Sequence, residues 1–185
     1  MSNGPQAGAQ PPTAAAICAR YKVKKEAWAL MREGMMPAEF VAALMEHRQY
    51  VDAIEFMAYA LPPRAGIWWG CLCLQHACGE NLTPPDRNAL QAATVWVVWP
   101  TEPYRTAAQG PAYAAGMRSA AGILATAVVT VGATGRVPLS PSKAVANAIK
   151  LAASKGDPAK IIEIQRQYVE LGMGVADGRF RWPEA

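Results

Sequence analysis

The stretch LPPRAGIWWGCLCLQHAC, from Leu61 to Cys78, decides how the chain is read. It holds two of the six tryptophans and three of the four cysteines. Leu61-Pro62-Pro63 breaks a preceding helix and starts the next, because proline fixes φ and lacks an N–H donor. From Arg64 to Cys78 only Arg64, Gln75 and His76 are clearly polar. A helix without a polar face is a buried one. Helical geometry then separates the thiols. Cys71 and Cys73 stand about 200° apart around the axis, and Cys71 and Cys78 share a face but lie roughly 10 Å apart along it. Zinc holds its sulfurs about 2.3 Å from one ion. The expectation is therefore a central core helix with structural thiols, no metal and no cofactor. Arg64 is expected to stack on Trp68 or to pair with a carboxylate of the preceding hairpin.

The same stretch carries the catalytic alternative. A nucleophilic cysteine needs a histidine within hydrogen-bond reach. The chain has two, His47 and His76, and Cys73 to His76 is an i, i+3 pair. No glycine-rich oxyanion loop accompanies it. Gly132 to Arg136 lacks the pattern of a phosphate loop.

The totals agree with a helical core. The 185 residues suffice for one domain, with 52% hydrophobic and 17% charged residues. Alanine is abundant, which favours helix. The expected fold is all-α, a single compact domain of about seven to eight helices in antiparallel hairpins. It spans residues 13–175, after a disordered arm over 1–12 and before a tail over 176–185.

Outward from Leu61–Cys78, the boundaries follow caps, prolines and period. Thr13 to Arg32 forms one helix, or two with an extended link near Tyr21 to Lys24. Pro37 opens a helix with Phe40, Val41, Leu44 and Met45 as its stripe. The polar stretch Glu46 to Gln49 turns the chain into Tyr50–Leu61. Downstream, Thr83-Pro84-Pro85-Asp86 is a strong start. Leu90, Ala93, Thr94, Val97 and Val98 form the inward stripe of that helix, leaving Trp96 and Trp99 on a second sticky surface. A helix begins at Glu102 and runs to Ala115, broken at Gly110-Pro111. Another covers Met117 to Val131, and Gly132 to Leu139 forms a loop. Ser140-Pro141 opens a helix with Val145, Ala148, Ile149 and Ala152 buried, closed by Gly156. Asp157-Pro158 opens the last, with Ile161, Ile164, Tyr168 and Leu171 inward and a stop at Gly172. No fixed repeat period emerges.

Charge and hydropathy narrow the setting. The formal charge of +4 concentrates at Arg20, Lys22, Lys24 and Lys25. A solvated face is the plain reading, and a binder of anionic partners is the alternative. Aromatic residues are not interleaved with basic ones, so nucleic acid is not expected as a partner. Ser119 to Gly135 carries no charge but contains Ser119, Thr126, Thr130 and Thr134, and is read as a core helix, not a membrane span. Met1 to Pro12 has no basic start and no apolar run, so a cytoplasmic location with reduced thiols is expected.

The chain resembles an uncharacterised bacterial family, the domain of unknown function 6931. The resemblance is carried by Ala29-Leu30, Gly34-Met35, Pro37-x-Glu39-Phe40, Asp52-Ala53 and Phe56-Met57-Ala58-x-Ala60-Leu61-Pro62. Trp68-Trp69-x-Cys71-Leu72-Cys73 is its most specific string. Pro100-Thr101-Glu102 with Arg105, and Gly156-Asp157-Pro158, extend it, so that it covers about Thr13 to Val175. Gly70 departs from the pattern, where alanine is expected, and would either loosen the helix or admit a close neighbour. The resemblance implies an all-helical protein with no assigned activity, and an accessory or structural role beside bacterial type VI secretion clusters.

The expected function is a non-enzymatic interaction or scaffold protein with a protein partner. Trp96, Trp99, Phe180 and Trp182 are the candidate contact residues.

Overall fold

The computed structural model describes residues 11–78, 81–134, 137, 139–155 and 157–184, with only the backbone of Cys78. Most of the expected arm and the expected helix stop at Gly156 lie outside these residues. The elements are α1 (Ala14–Cys18), α2 (Lys25–Trp28), α3 (Pro37–Glu46), α4 (Tyr50–Ala60), α5 (Pro63–Cys78) and α6 (Pro84–Val98). They continue with α7 (Glu102–Ala107), α8 (Gln109–Ala115), α9 (Ala120–Thr130), α10 (Pro141–Ala153) and α11 (Ile161–Ala176). Among the described residues there is no strand. The fold is all-α, with successive long helices paired as hairpins.

Local chemistry sets most of the boundaries. The Thr83 hydroxyl accepts from the Asp86 backbone N–H at 3.3 Å, and Ser140 does the same for Lys143 at 3.3 Å. The Ser119 hydroxyl accepts from Ala121 and Gly122 and so caps α9. It also donates to the Asp86 carboxylate, which ties the start of α9 to the start of α6. The carboxylate of Glu39 accepts from the Met36 backbone N–H at 2.7 Å and seals the start of α3.

Three boundaries differ from expectation. The break between α7 and α8 falls at Ala108, before Gly110-Pro111. The proline ring collides with the carbonyl four residues back, so Pro111 disrupts the helix at Ala107 rather than at itself. The next helix begins at Ala120, not Met117, because Gly116 turns the chain at φ +74° and Ser119 caps. The last helix is preceded by a 3-10 turn over Pro158–Lys160 and does not stop at Gly172. A Cβ on Gly172 would lie 2.7 Å from both Met57 and the Trp69 ring, so this glycine serves close packing. The left-handed position that ends the segment is Gly178, at φ +77°.

Helix α5 packs against α6, α9, α10 and α11, and shares the centre of the fold with α9, which packs against α5, α6, α7, α8 and α10. Trp69 is 0% exposed, and its indole N–H donates to the Tyr168 carbonyl at 2.7 Å. That bond satisfies the one polar group of a buried tryptophan. Gly70 does admit a close neighbour: a Cβ there would sit 2.5 Å from a Leu124 methyl of α9. Arg64 takes neither expected partner. Its guanidinium donates to the carbonyls of Val97 and Val98 at 2.6 and 3.1 Å and lies 4.4 Å from the Trp182 ring centre. The last carbonyls of α6 lack helical partners, and a fork of N–H donors satisfies two of them at once.

The uncharged stretch after Arg118 is core. Ala120 to Ala125 are all buried, together with Ala127 and Val128. Among the described residues no helix is long and apolar enough to cross a membrane.

A candidate interaction groove

An open apolar groove of about 500 Å³ lies where α3 begins and where α4 and α11 end. Its floor is core: Val41, Phe56 and Met57 are buried. Its walls are small or unbranched: Ala38 from α3, Ala60 from α4, and Met173 and Ala176 from α11. Three alanines at facing positions leave the space that larger side chains would fill. Pro37, Leu61 and Pro62 close one end, where the chain enters and leaves helices.

Charge is scarce in the lining. Asp177 is the acidic member, and Arg179 donates to its carboxylate at 2.7 Å. Hydrogen bonds from the Arg179 side chain and backbone hold that carboxyl below its ordinary value. Exposed Met36 stands next to Pro37, at 38%, and Met173 is exposed to the same degree. Met173 also lines a smaller hollow of about 360 Å³ that reaches Phe180. Thioether side chains re-pack readily and suit surfaces that receive apolar partners.

The four residues singled out from sequence separate. Trp96 is a correction: it is 5% exposed and belongs to the core, so it offers no free surface. Each helical step turns about 100°, so Trp96 lies within one step of the Ala93–Val97 stripe, and packing takes it in. Trp99, the C-cap of α6, is 44% exposed and sits 5.9 Å from the Tyr104 ring. Phe180 is 41% exposed, with its ring edge close over Gly174. Trp182 is half-buried under Arg64. The tail folds back: the Phe180 N–H donates to the Gly174 carbonyl, and Trp68 donates to the Phe180 carbonyl, both at 3.0 Å. Trp99, Phe180 and Trp182 therefore lie outside the groove lining, although Phe180 adjoins it through Met173.

The groove itself was hidden in the sequence. Phe56, Met57 and Val41 read as ordinary stripe members, and nothing local marks Ala38, Ala60 and Ala176 as facing one another. The available signal was methionine at Met36 and Met173, on either side of the stripes.

The thiols sit apart from this surface. Cys18, Cys71 and Cys73 are buried and free. Burial pushes the Cys71 thiol up to about 12, and pushes Cys73 well above its ordinary value. His76 is exposed, edge-on to the Tyr168 ring at 5.8 Å. The basic segment is partly engaged in structure. Arg20 donates to the Tyr59 carbonyl at 2.8 Å, and Lys24 pairs with Asp52 at 3.1 Å.

No curated protein and no solved structure matches the chain significantly. The pattern of one family, described as a family of unknown function (DUF6931), matches residues 40–176. That span starts at Phe40 in α3 and ends at Ala176 in α11, so it takes in all of α4 to α10 and most of the groove. The chain belongs to the DUF6931 family.

Proposed function

We propose that this chain is a non-enzymatic interaction protein, and that its groove receives the apolar face of an amphipathic helix from a protein partner. The observation that carries this reading is the groove: apolar, open, about 500 Å³, and floored by buried core residues. Helix-in-groove binding uses such a surface, with apolar side chains one turn apart as anchors. A floor fixed by the core costs little reorganisation on binding. The near absence of charge in the lining favours an apolar occupant over an anionic or cationic one.

An accessory role in a bacterial secretion assembly is the proposed setting. It rests on the family resemblance and on the fit between such a role and a partner-binding groove.

The test is a photo-crosslinking residue placed at Ala38, at the groove edge, in the full chain expressed in its native host. The expected product is a specific partner whose cross-linked peptide is amphipathic and helical. Ala60→Glu should abolish it while leaving the circular dichroism unchanged. Loss of Nile red fluorescence in Ala60→Glu checks the groove without any partner. The reading fails if position 38 captures nothing, or if Ala60→Glu captures the same peptide. The secretion setting fails if the captured partner belongs to no secretion apparatus.

A further inference from the structure

We propose that one face of α4, together with residues 20–28, forms a docking surface for an anionic lipid membrane. Asp52, Glu55 and Tyr59 follow one another at intervals of three and four along α4, so they share a face. Helix α4 packs against α1 and α10, and each residue of this row holds cations brought from there. Asp52 pairs with Lys24 at 3.1 Å, and Glu55 pairs with Lys143 at 2.6 Å and with Lys150. Arg20 donates to the Tyr59 carbonyl at 2.8 Å and lies 5.8 Å from its ring centre. Lys22 and Lys25, on either side of Lys24 in the same short segment, are exposed. With Glu26 counted, six cations meet three acids, an excess of three out of the chain's net +4. The carboxylates of Asp52 and Glu55 lie inward, with side chains 19% and 12% exposed, against 60% for Lys24 and 42% for Lys143. The face therefore presents ammonium groups to a partner.

The chemistry of these groups selects a lipid surface among anionic partners. Five of the six cations are lysines, and the guanidinium of the one arginine is engaged with Tyr59. A lysine ammonium is a hydrated point charge without the fork that reads one carboxylate or phosphate through two bonds. It suits a fluid plane of negative headgroups, where each lysine near the surface adds about fivefold in affinity. Trp28 supplies the other half of the signature. It lies one helical turn beyond Lys24, whose carbonyl accepts from its backbone N–H at 2.9 Å, and it is 49% exposed. At a membrane interface an indole keeps its ring among acyl chains and its N–H in water. Membrane anchoring takes two signals, an apolar insertion and a basic patch, and this face has both. A nucleic-acid duplex would use the lysines and leave the indole idle, and the carboxylates of an acidic peptide would find no free arginine fork to grip them.

The test is flotation of the full chain with vesicles of mixed phosphatidylserine and phosphatidylcholine, and with vesicles of phosphatidylcholine alone. Binding is expected to the anionic vesicles only, and should fall as salt rises, because ions screen the attraction. Lys22→Gln combined with Lys25→Gln, both at exposed positions, should weaken it by about thirtyfold. Binding should shift the tryptophan emission to the blue, and Trp28→Phe should lose that shift. The circular dichroism of both variants should match wild type. A chain that stays unbound at low salt overturns the inference. So does binding that the double lysine variant leaves unchanged, or a blue shift that survives in Trp28→Phe. Tighter binding to a DNA duplex or to polyglutamate than to the anionic vesicles also overturns it, and assigns the face to another polyanion.

Discussion

Helices α5 and α8 are both poor in charge and rich in small and aromatic residues, yet one is enclosed and the other stands in solvent. In α5 the rings of Trp68 and Trp69 are 7% and 0% exposed; in α8 the ring of Tyr113 is 91% exposed. Four helices surround α5, whereas α8 is backed by α6, α7 and α9 and leaves the side that carries Tyr113 exposed. Composition alone would have placed both inside. The difference lies in the number of faces the fold covers, and an apolar face that the fold leaves open is available to a partner.

The sharpest way to break this comparison is to truncate one ring in each helix. Trp69→Ala removes a fully buried ring and its bond to Tyr168, and should cost about 3–5 kcal/mol in urea unfolding. Tyr113→Ser should stay within about 0.5 kcal/mol of wild type. Equal losses would mean that α8 is not a free surface.

A smaller effect separates two glycines. A Cβ on Gly122 would fall 2.2 Å from the Gly116 carbonyl oxygen, and backbone has nowhere to go. Gly122→Ala should therefore lose about 1–3 kcal/mol and loosen the seat of α8. At Gly70 the Cβ meets a Leu124 methyl, which can rotate, while alanine gains roughly 0.5–1 kcal/mol of helix preference. Gly70→Ala should shift the melting temperature little.

The smallest expected effect is pH-dependent and lies on α4. Burial opposes ionisation of Glu55, but bonds from Lys143, at 2.6 Å, and from Lys150 outweigh it and lower its pKa below the ordinary 4.5. A lowered folded pKa means stability that is present above the unfolded value and is lost as pH falls through the folded one. Glu55→Gln should be less stable than wild type at neutral pH, and the gap should close as pH drops below about 4.5. Chemical denaturation across that range measures it.

The helix starts were legible because capping is local. Thr83, Ser119 and Ser140 each precede a helix and hold its first N–H groups, and Thr83 and Ser140 stand before prolines. The stripe of α10 was legible for the same reason: Val145, Ala148, Ile149 and Ala152 are all buried. What failed was tertiary. Gly172 looks like a stop, but Met57 and Trp69 make it a packing position in mid-helix. Trp96 looks like a surface residue, but packing buries it. Of the candidate surfaces, Trp99 and Phe180 were visible as aromatics near helix ends and are exposed. The groove depends on alanines from three helices separated in sequence, and no local pattern encodes that meeting. The α8 surface did leave a trace, the uncharged run from Thr106 to Met117, but a core helix leaves the same one.

The central claim is that α5 holds the fold and that binding belongs to surfaces away from it. Thiol labelling of the native chain at neutral pH tests this most directly. Cys71 and Cys73 should remain unmodified in the folded protein and react at once in denaturant, because burial both shields them and raises their pKa. Rapid modification of Cys73 in the native state would contradict the account, since a reactive thiol on the central helix is what a catalytic site would present.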